Sequence, residues 1–592
     1  MSKHWQILPP PPQSFFDQFP ELPRAAASLL YHRGLRTQET IDEFLHPEYS
    51  EHVHDPFLFR DMNRAVARLN QAMKNGEKIV IYGDYDADGV SAAVILASLF
   101  RALGYDLFES YLPHRDTEGY GLNAPAIEKL AGGGAKVLIT CDCGISNRAE
   151  VTLANKLGLD VIITDHHSIP AELPPAYAVI HPKVPGETYP DQTLSGGGVA
   201  FKLAQGILRE HEKTHERLGR GERHEAFEKW LLDLVAISSV ADMVPLTGES
   251  RTLTKYGLIV LNKTKRIGLQ KLLLEAKLMD EETGAMKRVL DADTIGFHIA
   301  PRINAAGRMN HANVAYNLLI TENPIEAINL AFELNQNNLE RQRLTEEYVA
   351  EAREQLERAG KDSPVLFVHS ARWPTGVVGL IAGRIKEIYS KPTIAMTQKG
   401  HELMGSGRSI DGFNMIAALQ EMPGYFNKFG GHPMACGFTL ASPEKLENFK
   451  SELNKLFAVK TKDLDTTQSL IVDAALALED VDWDLYGTLD AFKPFGQANP
   501  RPRYVAERLK VIRLEPVGKQ SRHLRFQLAG PSRKVRKAIG WNLCGGDGGT
   551  DWSKALKPGD FIDIVFEVDV NEWNGNRELQ LTVADLRPSE SV

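Results

Sequence analysis

Cysteine is scarce in this 592-residue sequence: Cys141, Cys143, Cys436 and Cys544 are the full complement. Four scattered cysteines do not make a disulfide framework, and a reducing cytoplasm is the expected setting. Cys141 and Cys143 flank Asp142 on one predicted strand end, where alternate residues share a face, but no second cysteine pair completes a zinc site. No apolar run approaches the ~20 residues that span a bilayer. The opening MSKHWQILPPPPQSFF has a proline run where a signal peptide carries its apolar stretch, so export is not expected. Internal repeats and long low-complexity segments are absent as well. Net positive charge is also lacking: 68 Lys and Arg face 77 Asp and Glu, for −9 overall. That balance alone argues against a nucleic-acid partner. Its distribution argues otherwise, because residues 501–540 set twelve arginines and lysines against Glu507 and Glu515. An acidic chain with one basic block reads as an enzyme with a dedicated polyanion-binding module.

The pattern divides into five parts. Residues 1–55 are proline-rich and then helical, a small accessory segment. Residues 56–323 alternate helix and strand, with KIVIYGDYD, KVLITCD, VIITDHH and AYAVIHP as strands. Such alternation indicates a parallel sheet covered on both faces, whose ligands sit outside the carboxyl ends of the strands. Within this part LSGGGVAFKLAQGIL reads as a glycine turn opening a helix, and the helical stretch KWLLDLVAISSVADMVPL carries Asp242. Residues 324–361 read as one bridging helix with Leu330, Leu334, Leu339, Leu344 and Leu356 on its apolar side. Residues 362–462 form a second α/β unit, with strands PVLFVHS and PTIAMT, the helix LIAGRIKEIY, and the loops GSGRS and FGGHPMACGF. Residues 463–592 are strand-rich between Gly, Pro and Asn turns, as in a small β-barrel.

Three of the apolar runs end in metal-ligand residue types. GDYDADG supplies Asp84, Asp86 and Asp88, CDCG supplies Asp142, and TDHH supplies Asp165, His166 and His167. Carboxylates and imidazoles at neighbouring strand ends repel or stay unsatisfied unless a cation sits among them. Asp86, Asp88, Asp142, His166 and Asp242 offer four carboxylates and one imidazole, enough for two ions of the Mn2+ or Mg2+ kind sharing a bridging carboxylate. Asp84 and His167 stand beside them as further ligands or as groups that orient the ligands. A pair of such ions stabilises both the attacking and the leaving oxygen in phosphoryl displacement. Each piece alone has an ordinary explanation: DxDxDG occurs by chance, and paired histidines are mostly surface or core residues. Three strand-end motifs in one predicted sheet are harder to dismiss.

GDYDADG, CDCG, TDHH and VADM, in that order, resemble the DHH phosphoesterases. APRINAAGRM and FGGHPMACGF sharpen the likeness to that family's bacterial single-strand-specific 5′→3′ exonucleases. The resemblance covers nearly the whole chain. It implies a parallel-sheet DHH catalytic domain, a bridging helix, a DHH-associated α/β domain and a C-terminal OB-fold. It also implies metal on Asp86, Asp88, Asp142, His166 and Asp242, with Asp84 and His167 close by. A terminal 5′ phosphate would be held by Ser406, Arg408 and Arg308. A glycine-flanked serine and an arginine do present donors to a phosphate. Arg302 and Arg308 have an alternative as structural partners of carboxylates. His432 either touches the scissile phosphate or shapes its turn. On the barrel, Arg501, Arg503, Tyr504, Arg522, Arg525 and Lys534 are the candidates for tracking and stacking a strand. Phe526 and Trp541 are expected to fill the barrel core.

The expectation is an exonuclease that uses two Mn2+ or Mg2+ ions to degrade single-stranded DNA 5′→3′ to mononucleotides in DNA repair and recombination. A channel between the two α/β domains would admit a single strand and exclude a duplex. The resemblance also implies single-strand-binding protein and a RecQ-type helicase as partners. Two other readings compete: a short-oligonucleotide or cyclic-dinucleotide phosphodiesterase of the same family, and a catalytically silent nucleic-acid-binding factor. The basic barrel argues against the first, since small substrates need no long track. The intact ligand set argues against the second.

Overall fold

Strand composition dictates the first sheet. The computed structural model describes residues 4–359, 361–462, 469–532, 534–545, 549–573 and 576–589. Arg533 of the basic block and the expected domain start at 463 lie outside these residues. Two units result, one of residues 46–344 with 494–499, the other of residues 1–45, 345–493 and 500–592. Strand β1 (His4–Ile7) belongs to the second. In the first, β2 (Lys78–Tyr82), β3 (Phe108–Tyr111), β4 (Ala135–Cys141), β5 (Asp160–Thr164) and β6 (Ala178–Ile180) form a parallel sheet in the order β3-β2-β4-β5-β6. Alternate residues serve two cores. Ile79, Ile81, Val137, Ile139 and Ile162 pack with the helices Met62–Asn75 and Ala87–Ala102, and Val80, Tyr82, Leu138, Val161 and Ile163 pack with Ala124–Gly132 and Arg148–Lys156. A near-continuous apolar strand is what a sheet covered on both faces requires. The edge strand β3 lacks such a run, reading FESY, and escapes sequence reasoning for that reason.

Two details of this unit depart from expectation. Cys141 lies in one core and Cys143 in the other, so they do not share a face. Asp142 between them is left-handed (φ 62°) and breaks the strand alternation. The stretch Pro324–Ala359 is a single helix with Leu334 and Leu356 buried, but Leu339 is exposed. Five residues beyond Leu334, its side chain points about 140° away around the helix.

The other unit holds a mixed sheet and a barrel. Strands β7 (Leu366–His369), β8 (Thr393–Lys399), β9 (Glu402–Arg408), β10 (Phe426–His432) and β11 (Ala435–Leu440) lie in the order β10-β11-β9-β8-β7, with only β7 and β8 parallel. The expected loops GSGRS and FGGHPMACGF are therefore strands: the first ends β9 and the second is the β10–β11 hairpin. Glycine is usually depleted in strands, but here it answers a packing need. A Cβ on Gly405 would strike the Phe438 ring, and one on Gly407 would lie 2.7 Å from the Cys436 sulfur. Strand β12 (Ser469–Val472) pairs in parallel with β1. Then β13 (Ala474–Ala475), β14 (Tyr504–Val517), β15 (His523–Ala529), β16 (Val535–Gly540), β17 (Phe561–Trp573) and β18 (Asn576–Pro588) form a six-stranded sheet, closed into a barrel by β14–β17 pairing. β14 pairs β17 with its first half and β15 with its second, bending at a bulge where Arg508 takes φ 55°. Phe526 fills the barrel core as expected. Trp541 is 57 % exposed instead, because it follows the last residue of β16 and leaves the in-out alternation. Among the described residues no helix is long and apolar enough to cross a membrane.

Candidate metal centre

The carboxyl ends of β2, β4 and β5 are hydrogen-bonded neighbours, so the turns after them converge. β2 stops at Tyr82, earlier than the sequence reading placed its end, because Asp86 caps the following helix instead of extending the strand. Its Oδ1 accepts the amides of Asp88 (2.9 Å) and Gly89 (3.1 Å). Asp88 thereby enters the first helical turn. Ala87 N–H donates to Oδ1 of Asn304 in the INAAGR helix. After β4, left-handed Asp142 turns its carboxylate toward His166, which follows β5. Asp242 sits at the C-terminal end of the helix Leu232–Ala241.

His166 Nε2 lies 3.1 Å from Asp142 Oδ1, 3.5 Å from Asp242 Oδ2 and 3.6 Å from Asp88 Oδ2. Three sets of ligand atoms, each within 4.8 Å of one another, follow: Asp142, His166 and His167; Asp88, His166 and Asp242; and Asp84, Asp86 and Asp142. All seven residues named from sequence as ligands or their neighbours fall into these sets. Electrostatics explains why a cation suits them. Burial, then the neighbouring carboxylates, pushes Asp84, Asp86 and Asp142 above the usual carboxylate range and Asp242 to about 8. Burial lowers His166 to about 4, which keeps it a neutral ligand. Asp84 Oδ1, Asp142 Oδ1 and His166 Nε2 are buried and have no hydrogen-bond partner. Orphaned buried acceptors are costly. Hard oxygen donors with imidazole fit Mn2+ or Mg2+.

Several supporting residues escaped the sequence reading. The amides of Gly196 and Gly197, opening the helix Gly196–Glu212, donate to Asp88 Oδ2 (2.8 Å) and Oδ1 (2.7 Å), and the Ser238 hydroxyl also donates to Oδ1. The run SGGG at a helix start was the available signal, since such a terminus cradles anions. Lys183 donates to the His166 carbonyl at 2.8 Å. Arg115 lies over the Tyr85 ring at 5.0 Å and offsets a small part of the upward shift that burial and Asp86 impose on Asp84. The Tyr120 hydroxyl donates to the Asp142 carbonyl at 3.1 Å. Asp165 takes no place among the ligand sets. Its Oδ1 accepts Nδ1 of His167 at 2.8 Å, which fixes that ring.

The remaining candidates scatter. Arg308 lies in the last turn of the INAAGR helix and acts electrostatically on Tyr85. Arg302 donates to the His298 carbonyl and to Asn335 Oδ1, not to a carboxylate. In the other unit, Arg408 donates to Ser406 Oγ at 2.9 Å, and both face Gly379 of the helix Thr375–Tyr389, where a Cβ would stand 2.7 Å from Arg408 Nη2. His432 closes β10 and is exposed. On the barrel, Arg525 lines a groove of about 590 Å³ with Arg513, Glu515, Gln527 and Lys537. Arg501, Arg503, Tyr504, Arg522 and Lys534 lie outside it. Arg503 pairs with Glu567, and Lys534 donates to the Glu479 carbonyl. Arg522 is exposed. Tyr504 is 1 % exposed, its ring 6.1 Å from Phe566, so it offers no face to a base. Its place in the closing β14–β17 pairing turns it inward.

Three stretches of the chain match models of known domains. Residues 78–238 match the model of the DHH family N-terminal domain, 362–459 the DHHA1 domain and 472–585 the RecJ OB domain. The single-stranded-DNA-specific exonuclease RecJ of Bacillus subtilis is 36 % identical over 95 % of this chain and 68 % of its own length. Its counterpart in Salmonella typhimurium is 34 % identical over 89 % of this chain and 90 % of its own. The crystal structure of Thermus thermophilus RecJ in complex with Mn2+ matches the whole chain, covering 80 % of that protein, with TM-score 0.80 and 27 % identity. Strand-end carboxylates, a second sheet and a closed barrel on one chain thus have a common explanation: the chain belongs to the RecJ family of single-stranded-DNA-specific exonucleases.

Proposed function

We infer that this exonuclease hydrolyses single-stranded DNA from the 5′ end and releases mononucleotides, with divalent ions held by Asp84, Asp86, Asp88, Asp142, His166 and Asp242. The observation that carries the metal assignment is the trio of buried, partnerless ligand atoms on Asp84, Asp142 and His166. When bound, such ions polarise the scissile phosphate and offset the charge that builds on its oxygens. The chain supplies the rest. Gly196, Gly197 and Ser238 hold the Asp88 carboxylate in one orientation. Asp165 holds His167 at Nδ1, and despite burial its charge raises the ring to about 9. Fixing Nδ1 on Asp165 leaves Nε2 as the ring nitrogen that His167 offers to the site.

Polarity is assigned to Ser406 and Arg408, whose hydroxyl and guanidinium suit a terminal phosphate monoester, with Arg308 as a further phosphate contact. The barrel groove suits a longer strand, which favours this reading over a dinucleotide phosphodiesterase. Single-strand-binding protein and a RecQ-type helicase fit as partners that deliver such a strand. Digestion of 5′- and 3′-labelled single strands with Mn2+ or Mg2+ tests the reading. The 5′ label is expected to appear first, as mononucleotide, and only with metal added. Early release of the 3′ label would reverse the polarity, and activity in chelator would remove the metal.

A further inference from the structure

We propose that Tyr120 and Met243 form a nucleobase subsite at the metal centre, holding the base of the nucleotide whose phosphate is cleaved. The proposal rests on the nuclease reading above and adds what grips the apolar part of the substrate. Carboxylates can place ions and a phosphate, but they offer nothing to the flat face of a base. Two apolar side chains interrupt that polar surface, Tyr120 at 45 % and Met243 at 68 % exposure.

Both are held open by the backbone. Tyr120 lies between Gly119 (φ 80°) and Gly121 (φ 82°), conformations a side chain disfavours. The Gly121 carbonyl accepts the Tyr82 hydroxyl at 3.0 Å, and a Cβ on Gly121 would stand 2.5 Å from Asn147 Oδ1. The loop is thus pinned behind the tyrosine. The phenol tip is pinned too, on the Asp142 carbonyl, while the ring leans on His167 with centroids 5.4 Å apart. With these contacts made, the residue is still 45 % exposed.

Met243 follows Asp242 directly. Its amide donates to the Val240 carbonyl and that of Val244 to the Ser239 carbonyl, both at 3.2 Å. This pair of bonds is the Schellman ending of a helix, whose left-handed position glycine normally takes. Met243 occupies it at φ 58°. A left-handed methionine is disfavoured, and it projects into solvent beside a proposed metal ligand. His166 links the two sides, 3.1 Å from Asp142 and 3.5 Å from Asp242. Tyrosine stacks on any base, and a thioether packs against any aromatic ring, so the subsite grips without reading sequence.

The test uses the full chain with Mn2+ and 5′-phosphorylated single strands whose first nucleotide is either base-bearing or abasic. Wild type is expected to favour the base-bearing strand in kcat/KM by on the order of tenfold, within the range of one base–aromatic stack. Tyr120→Ala and Met243→Gly are each expected to narrow that preference several-fold. Tyr120→Phe keeps the ring without the hydroxyl and is expected to retain it. Met243→Gly places glycine where the helix ending favours it, and an undiminished melting temperature separates lost grip from lost fold. An unchanged preference in both Tyr120→Ala and Met243→Gly, or none in wild type, overturns the subsite and leaves the nuclease reading standing. No cleavage of either strand by wild type overturns both.

Discussion

Asp165 accepts four hydrogen bonds from its own chain: the amides of Ile145, His166 and His167, and Nδ1 of His167. Burial opposes its charge, but the His167 bond and those amides hold it below the usual carboxylate range. Burial likewise opposes a charge on His167, yet Asp165 raises it to about 9. The two shifts define a pH window for the metal-free protein. The raised histidine contributes stability that is full below its unfolded value of about 6.5 and lost as pH rises through about 9. The depressed carboxylate contributes above its unfolded value of about 4 and fades as pH falls below it. Asp165→Asn is therefore expected to cost about 2 kcal/mol at pH 7 in denaturant melts. It should also return His167 toward an ordinary histidine in an NMR titration. A ring still titrating near 9 in that variant would show that Asp165 is not what holds its proton.

Glycines at element ends decide how close those elements come. A Cβ on Gly196 would stand 2.5 Å from Asp142 Cβ and 2.7 Å from its Oδ1. Gly196→Ala must displace Asp142, and is expected to cut hydrolysis about a hundredfold while costing about 1–3 kcal/mol of stability. Parallel kinetics and melting would show whether the two losses part. Gly379→Ala meets the flexible end of Arg408 at 2.7 Å and the Ser406 hydroxyl at 3.2 Å. Its expected effect is a several-fold smaller preference for a 5′-phosphorylated over a 5′-hydroxyl strand, with melting within a few degrees of wild type. These contacts also mark where sequence reasoning stops. The strands β2, β4 and β5 were legible because buried parallel strands are apolar throughout, and Asp142 and His166 because neighbouring parallel strands deliver their ends together. The Gly196 and Gly197 amides on Asp88 were not, since helix packing joins residues 108 and 109 positions apart. GSGRS misleads because glycine signals a turn locally, whereas here it makes room for Phe438 and Cys436 from the next strand.

For the molecule as a whole, net charge is a poor guide to its substrate. The chain carries −9, and part of its basic block is already neutralised: Arg513 and Arg525 share Glu515, and Lys537 meets Glu578. Long-strand binding is expected to depend moderately on salt, with a log–log slope near −0.7 for each phosphate contacted. Replacing Arg513, Arg525 and Lys537 by alanine should flatten that slope, and slow a 30-mer more than a dinucleotide. Equal slowing of both would place the groove outside the strand's path. One pairing sets a different limit, on the order in which the protein is made. β1 is held in parallel by β12, and Trp5 Nε1 donates to Asp585 at 2.8 Å. At ~5–20 residues per second, Ser469 leaves the ribosome roughly 20–90 s after His4. Through that interval β1 lacks its partner β12, so this part of the fold forms long after its first strand is made, and a chain cut before Ser469 never acquires it.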